Sequence, residues 1–242
     1  MRQKLILLTF FSLIILLLVP AWENQAESSE PGEKEVVVLL HGLARSNTAM
    51  WLLKQRLEEA GFHVEAIDYA SFNQTSQQII GNITNQINEC CKSINNRVHL
   101  VGHSLGGLLI RAYLEHNQIQ NLGRVVLIGT PNQGSEVADY ANQKWWGQLA
   151  GQAALSLGTT KESFPNTLPE PDYPVGIIAG VRESDNEELI PGLDDGLVSV
   201  ESTKLRNMQD FIAVPSGHSM MRYNKVVATQ TIIFLKSGKF NH

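Results

Sequence analysis

From Val36 to Thr130, aliphatic runs of strand length alternate with longer segments whose apolar residues recur every three or four positions. The runs "VVVLL" (36–40), "FHVEAIDY" (62–69), "RVHLVGH" (97–103) and "GRVVLIGT" (123–130) read as strands, most of them continuous enough for burial on both faces. Between them lie "SNTAMWLLKQRLEEAG", "TSQQIIGNITNQINECCKSI" and "LGGLLIRAYLEHN", each with helical spacing. Ser46 or Asn47 is expected to cap the first helix and Gly61 to end it, while Gly81 weakens the second. No hairpin signal joins two strands. Strands that must be linked through helices run parallel, because only a crossover returns the chain to the same end of the sheet. The expected class is therefore α/β: a mostly parallel central sheet with helices on both faces. With 242 residues, 43% of them hydrophobic, the chain can bury a substantial core in one domain or two.

The N-terminal end is different in kind. Arg2 and Lys4 precede an apolar run from Leu5 to Val19, 15 residues long. As a helix it would reach about 22 Å, short of the ~30 Å hydrocarbon layer. Residues 1–21 read as a signal peptide with Val19-Pro20-Ala21 at the cleavage site, or else as an N-terminal anchor. Export to the periplasm or medium is the expectation, with a retained membrane anchor as the alternative. Residues 22–35 are a polar linker, and 36–242 form the folded domain. The net charge of −5 supplies no electrostatic footprint for nucleic acid. Cys90 and Cys91 are adjacent, which suits neither a relaxed disulfide nor a metal site. They are expected to be small residues on a helix, with an intermolecular bridge as the lesser alternative.

The alternation breaks after Thr130. An insertion at about 135–172, "too long" for a simple connection, carries Trp145, Trp146, Leu149, Leu155 and Leu157. It is expected to form a small cap, with Trp145 and Trp146 on the wall of an acyl pocket; a scaffold helix packed on the core is the competing expectation. "VGIIAG" and "DFIAVP" then resume the sheet, and "SMMRYNKVVATQTIIFLK" closes the chain as an amphipathic helix.

The most informative turn is "GHSLGG", Gly102 to Gly107, where a strand gives way to a helix. Small residues two before and two after Ser104 permit a turn sharp enough to leave the serine exposed at the helix N-terminus. In that setting Ser104 is the candidate nucleophile. A serine needs a base, and in a strand–serine–helix arrangement the acid and then the histidine follow in sequence. His218 lies directly after the last strand and is the expected base. His116 ends the helix after the serine, His242 is terminal and expected to fray, and His41 and His103 precede the serine. The acid should lie between Ser104 and His218. Asp195, before Gly196, is preferred to Asp194; Glu183, Asp185, Glu187 and Glu188 read as a solvated charged loop. An oxyanion requires preorganised N–H donors. These are expected from Leu105, after the nucleophile, and Leu43 in "HGLARS", where Gly42 allows an unusual backbone.

"LLHGLARS", "VGHSLGGLLIRAYL", "LIGTPNQGS" and "DDGLVSVEST" together resemble the α/β-hydrolase superfamily, specifically its bacterial lipase and esterase branch, over about Val36 to Leu235. The resemblance implies a Ser104–Asp195–His218 triad, with Leu43 and Leu105 as oxyanion donors. "GTPNQGS" is similar to a family segment that usually carries a histidine where this chain has Asn132. The implied activity is carboxylic-ester hydrolysis through an acyl-enzyme, with no cofactor or metal. The substrate is expected to be a small-molecule or lipid ester, with contact to a membrane or lipid surface. A thioesterase, amidase or acyltransferase on the same scaffold is the alternative, and a non-catalytic hydrolase-like binding protein a further one.

Overall fold

Each strand of the computed structural model sorts its side chains into two cores by simple alternation. Val36, Val38 and Leu40 point into one hydrophobic cluster, Val37 and Leu39 into another on the opposite face. The structure describes residues 34–72, 74–91, 95–144, 151–183 and 188–242, all within the compact unit Glu33–His242. The expected signal peptide at 1–21 and nearly all of the linker at 22–35 lie outside the described residues. Among the described residues, no helix is long and apolar enough to cross a membrane.

The strands are β1 (Val36–Leu40), β2 (His63–Ile67), β3 (Val98–His103), β4 (Leu122–Ile128), β5 (Val175–Val181) and β6 (Asp210–Pro215). They form one sheet in the order β2-β1-β3-β4-β5-β6, and every neighbouring pair is parallel. The helices are α1 (Trp51–Glu59), α2 (Ser76–Cys91), α3 (Leu105–His116), α4 (Glu136–Asn142), α5 (Gln152–Leu155), α6 (Phe164–Thr167), α7 (Val200–Thr203) and α8 (Lys225–Ser237). Ile79, Ile83 and Ile87 of α2 and Leu105 to Tyr113 of α3 cover the first face. Leu53 and Leu57 of α1 and Phe234 and Leu235 of α8 cover the second. Fully burying side chains of this size stabilises the fold by about 1.5–3 kcal/mol each.

This strand order has a consequence for function. From β1 the chain first moves outward to β2, then returns past β1 to β3 and continues in the other direction. The connections leaving β1 and β3 therefore depart to opposite faces, α1 on one and α3 on the other. A crevice opens between their carboxyl ends, the switch point at which open α/β sheets bind ligands. Leu40 pairs with Gly102, so the next residues of the two strands, His41 to Leu43 and His103 to Leu105, flank that crevice.

Three local expectations differ from the structure. Ser46 precedes a 3₁₀ turn, Asn47–Met50, and makes no side-chain cap bond; its hydroxyl meets the Thr48 hydroxyl at 2.7 Å instead. His242 is held by Asp210, Nε2 to Oδ1 3.0 Å, where fraying was expected. Cys90 and Cys91 are joined as a disulfide in the last turn of α2, across adjacent Cα atoms 3.8 Å apart. That turn is where the helical hydrogen-bond ladder ends and backbone constraint is least.

His41, just beyond β1, and His99 and His103 on β3 are buried between these layers. The Arg124 amide donates to His99 Nδ1 at 2.9 Å, which leaves Nε2–H to donate to Glu35 Oε2 at 3.2 Å. Burial lowers the proton affinity of all three histidines. Each is thus neutral in the fold, while the unfolded chain takes up protons first as the pH falls below about 6.5. Their contribution is present above that pH and lost below it. The urea midpoint is expected to fall between pH 7.5 and pH 5.5 at unchanged m-value; an identical midpoint at the two values would contradict neutral burial.

Candidate active site

Ser104 has φ 56° and ψ −125° and is one of only two non-glycine residues with positive φ among the described residues. Such a backbone costs about 1–3 kcal/mol at a residue with a side chain. Two close approaches hold it. A Cβ at Gly102 would lie 2.5 Å from the Gly107 amide nitrogen, and one at Gly106 would lie 2.5 Å from the Leu40 carbonyl oxygen. Only glycine lets α3 start this near to β1 and β3. The Ser104 amide donates to the Ile128 carbonyl at 2.9 Å, and the Gly107 amide to the Ser104 carbonyl at 3.0 Å. The strained residue is thereby pinned to β4 and to its own helix.

The structure brings Ser104, His218 and Asp195 together. His218 begins a 3₁₀ turn, His218–Tyr223, which follows β6 after Ser216 and Gly217. Its Nδ1 lies 2.7 Å from Asp195 Oδ2, and its Nε2 lies 2.9 Å from Ser104 Oγ. A carboxylate on Nδ1 fixes the tautomer, so Nδ1–H donates to Asp195 and Nε2 is free to accept from the serine hydroxyl. Asp195 is 2% exposed and His218 8%. The other carboxylate oxygen of Asp195 accepts from the Leu197 and Val198 amides at 3.0 and 2.9 Å. The His218 amide donates to the Asp195 carbonyl at 2.8 Å, which ties the two loops together.

Asp194 is equally buried but faces elsewhere. Its Oδ1 accepts from the Gly196 amide at 2.6 Å, and its backbone carbonyl takes the Arg182 amide at 2.9 Å. Glu183 and Glu188 are exposed, whereas Asp185 and Glu187 lie outside the described residues. His116 is exposed beside Glu115 at the end of α3. His41 stacks on Tyr69 with ring centroids 3.9 Å apart and takes no part.

His103 Nε2–H donates to the His218 backbone carbonyl at 3.0 Å, so the residue before the serine supports the loop that carries the imidazole. Burial, then the neighbouring His218 charge, pushes the His103 proton affinity well below its ordinary value. It is therefore a neutral prop beside the serine.

Leu105 begins α3, so its amide has no acceptor within the helix and sits at the positive end of the helix dipole. Leu43 borders the same cleft as Ser104. The unusual backbone expected at Gly42 falls instead at Ala44, with φ 50°. Gly42 is small for another reason: a Cβ there would come within 3.2 Å of both His103 Nδ1 and Ser104 Cβ.

The cleft beside Ser104 holds about 250 Å³ and is walled largely by apolar side chains. Leu155 and Leu157, expected on the apolar face of the insertion, line it, while Trp145, Trp146 and Leu149 lie outside the described residues. Val137, Ala138 and Ala141 of α4 complete that wall. Their i, i+1, i+4 spacing is the signal that marks this face of α4 in the sequence. Arg45, Arg222 and Ser219 also border the cleft without having been singled out by any motif.

Asn132, at the family's histidine position, is buried and structural. Its Nδ2 donates to the Thr203 carbonyl at 2.7 Å and its Oδ1 accepts from Arg111 Nη1 at 3.2 Å. Arg111 Nη2 in turn donates to the Leu168 and Pro169 carbonyls at 3.1 and 3.2 Å. This network anchors the return of the insertion to α3 and to the loop after β4.

A serine hydroxyl, an imidazole and a buried carboxylate in hydrogen-bonded series can move a proton off the hydroxyl, beside a cleft walled largely by apolar side chains. Comparison with known proteins agrees with this architecture. No curated protein matches the chain. The lipase of Bacillus licheniformis in its mature form is similar in structure, with TM-score 0.71 at 22% identity over 86% of this chain and 93% of that one. An esterase from Exiguobacterium antarcticum gives 0.62 at 19% identity over 85% and 93%. A phospholipase from Legionella pneumophila gives 0.60 at 15% identity over 85% of this chain and 57% of that one. Identities this low establish the fold, an α/β-hydrolase, and no more. The sequence itself goes further: residues 36–167, more than half of the chain, match the family model described as palmitoyl protein thioesterase, and the chain belongs to that family.

Proposed function

We propose that the chain is a serine hydrolase that cleaves carboxylic esters through an acyl-enzyme. The observation that carries this reading is the Ser104–His218–Asp195 series, at 2.9 and 2.7 Å, at the edge of an apolar cleft. Ser104 Oγ attacks the acyl carbon while His218 Nε2 takes its proton. The amides of Leu43 and Leu105 stabilise the oxyanion, a type of interaction that contributes about 2.7–4 kcal/mol per donor. His218 then protonates the leaving oxygen as the acyl–oxygen bond breaks. Water attacks the acyl-serine with His218 again as base, and the carboxylic acid departs. Asp195 holds the imidazole in the required tautomer and stabilises its charged form. The reading also has the enzyme exported, since Leu5–Val19 has the length of a signal sequence.

A second reading, thioester hydrolysis, is favoured by the family match over residues 36–167. The same steps serve it, with sulfur as the leaving atom. Chemistry at the triad does not separate the two; the leaving group and the walls that receive it do.

Ser104→Ala is expected to lower kcat by about 10⁶-fold. Asp195→Asn is expected to lower it by about 10⁴-fold, because the amide favours the wrong tautomer of His218. Asp194→Asn should lose far less, since its amide oxygen still accepts the Gly196 N–H. Equal losses at the two aspartates in steady-state assays would remove Asp195 from the mechanism.

The acyl wall is tested with p-nitrophenyl esters of increasing chain length and their matching thioesters. Each added methylene that enters the cleft should raise kcat/KM by roughly fourfold, equivalent to ~0.8 kcal/mol, until the cleft is full. A flat profile would contradict an acyl role for α4 and α5, and the ester-to-thioester ratio decides between the two leaving groups.

A further inference from the structure

Two arginines border the cleft, and neither is used by the chemistry above. Arg45 follows Leu43 on the loop after β1, and Arg222 lies four residues after His218 on the 3₁₀ turn after β6. The 3₁₀ turn that follows Arg45, Asn47–Met50, and the one that carries Arg222, His218–Tyr223, pack against each other. The two cations thus approach the site from adjoining segments.

Neither guanidinium has a carboxylate partner among the described residues: the ion pairs there involve other groups. Among the described residues, Arg45 donates only to the carbonyl of its neighbour Ala44, at 3.2 Å. Arg222 lies over the Tyr223 ring at 4.7 Å, and its Nε is buried without a hydrogen-bond acceptor. No aspartate or glutamate is among the described residues lining the cleft. Both charges are felt inside the site, since each disfavours a proton on His103. This concentration of unpaired positive charge stands out in a chain whose net charge is −5. The side chains that α4 and α5 give to the cleft are mostly aliphatic and suit the acyl chain. The two arginines are then left for the other half of the substrate.

We propose that Arg45 and Arg222 form a leaving-group subsite for phosphate, so that the preferred substrates are esters or thioesters whose alcohol or thiol carries a phosphate group. The inference rests on the acyl-transfer reading of Ser104. In the reaction, the bond from the acyl carbon to oxygen or sulfur breaks and water supplies the hydroxyl of the acid. The phosphate remains on the departing alcohol or thiol. The guanidinium forks supply charge-assisted hydrogen bonds to phosphate oxygens.

The test uses the purified protein and two matched pairs below their micelle concentrations. One pair is decanoylglycerol phosphate with decanoylglycerol; the other is the decanoyl thioester of phosphopantetheine with that of pantetheine. The expected result is a higher kcat/KM for the phosphorylated member of at least one pair. The responding pair distinguishes a lipid headgroup from a soluble thioester as the source of the phosphate. Arg45→Gln and Arg222→Gln should each reduce the phosphorylated-to-neutral ratio about tenfold. Arg222→Lys, which keeps the charge and loses the fork, should retain only part of it, and added salt should diminish it. Lys239→Gln, which removes an exposed charge near the C-terminus, should leave the ratio unchanged. Hydrolysis of the neutral members with no phosphate preference in either pair would overturn the subsite, as would an equal loss in Lys239→Gln. No hydrolysis of any of the four compounds would instead overturn the acyl-transfer reading, and the subsite with it.

Discussion

Ser104 is held at φ 56° and ψ −125°, a conformation that an isolated serine would leave at once. What keeps it there is the packing of α3 against the sheet. Gly102 and Gly106 let backbone approach backbone where a single methyl group would collide with Leu40 or Gly107. The helix that begins at Leu105 buries nine consecutive residues, Leu105 to Tyr113, and that burial offsets the local strain. The same packing places the helix N-terminus, with amides that have no acceptor within the helix, directly after the serine. Loosening this contact would move the hydroxyl, the amide and the helix dipole together.

Around this point the fold assembles parts that are far apart in sequence. Leu43 comes from the loop after β1, Ser104 from the loop after β3, Asp195 from the segment after β5 and His218 from the turn after β6. All four strands are parallel, so their carboxyl ends lie on one edge of the sheet. The loops are also bonded to one another. The His218 amide meets the Asp195 carbonyl, and His103 supports the His218 carbonyl. The imidazole is thus oriented through its ring and through its backbone, which limits the reorganisation needed at the moment of reaction. The insertion contributes aliphatic side chains to the cleft and is tied to α3 by Arg111.

Much of this was legible in the sequence because it depends on local pattern. Continuous aliphatic runs separated by helical spacing announce a parallel sheet, and all six strand expectations fall on observed strands. The elbow is legible because its glycines are required within five positions of one another. Elsewhere the determinants are non-local. Asp194 and Asp195 are adjacent and equally buried; the Gly196 that follows favours Asp195 in the sequence, and the geometry of the His218 loop is what separates the two. The positive φ falls on Ala44 instead of Gly42, because contacts around a loop decide where its strain is placed. Arg222 lies in no motif and Arg45 has no assigned role within "HGLARS"; both are marked by the absence of acidic neighbours, among the described residues, at a cleft that forms only in the folded chain.

The claim on which the account rests is that Ser104 becomes covalently acylated. Labelling the folded protein with a fluorophosphonate, followed by peptide mass mapping, tests it most directly. A single adduct is expected on the peptide containing Ser104, lost in Ser104→Ala and slowed when His218 is replaced by glutamine. An adduct at another residue, or none on folded protein that retains its native circular dichroism, would contradict it.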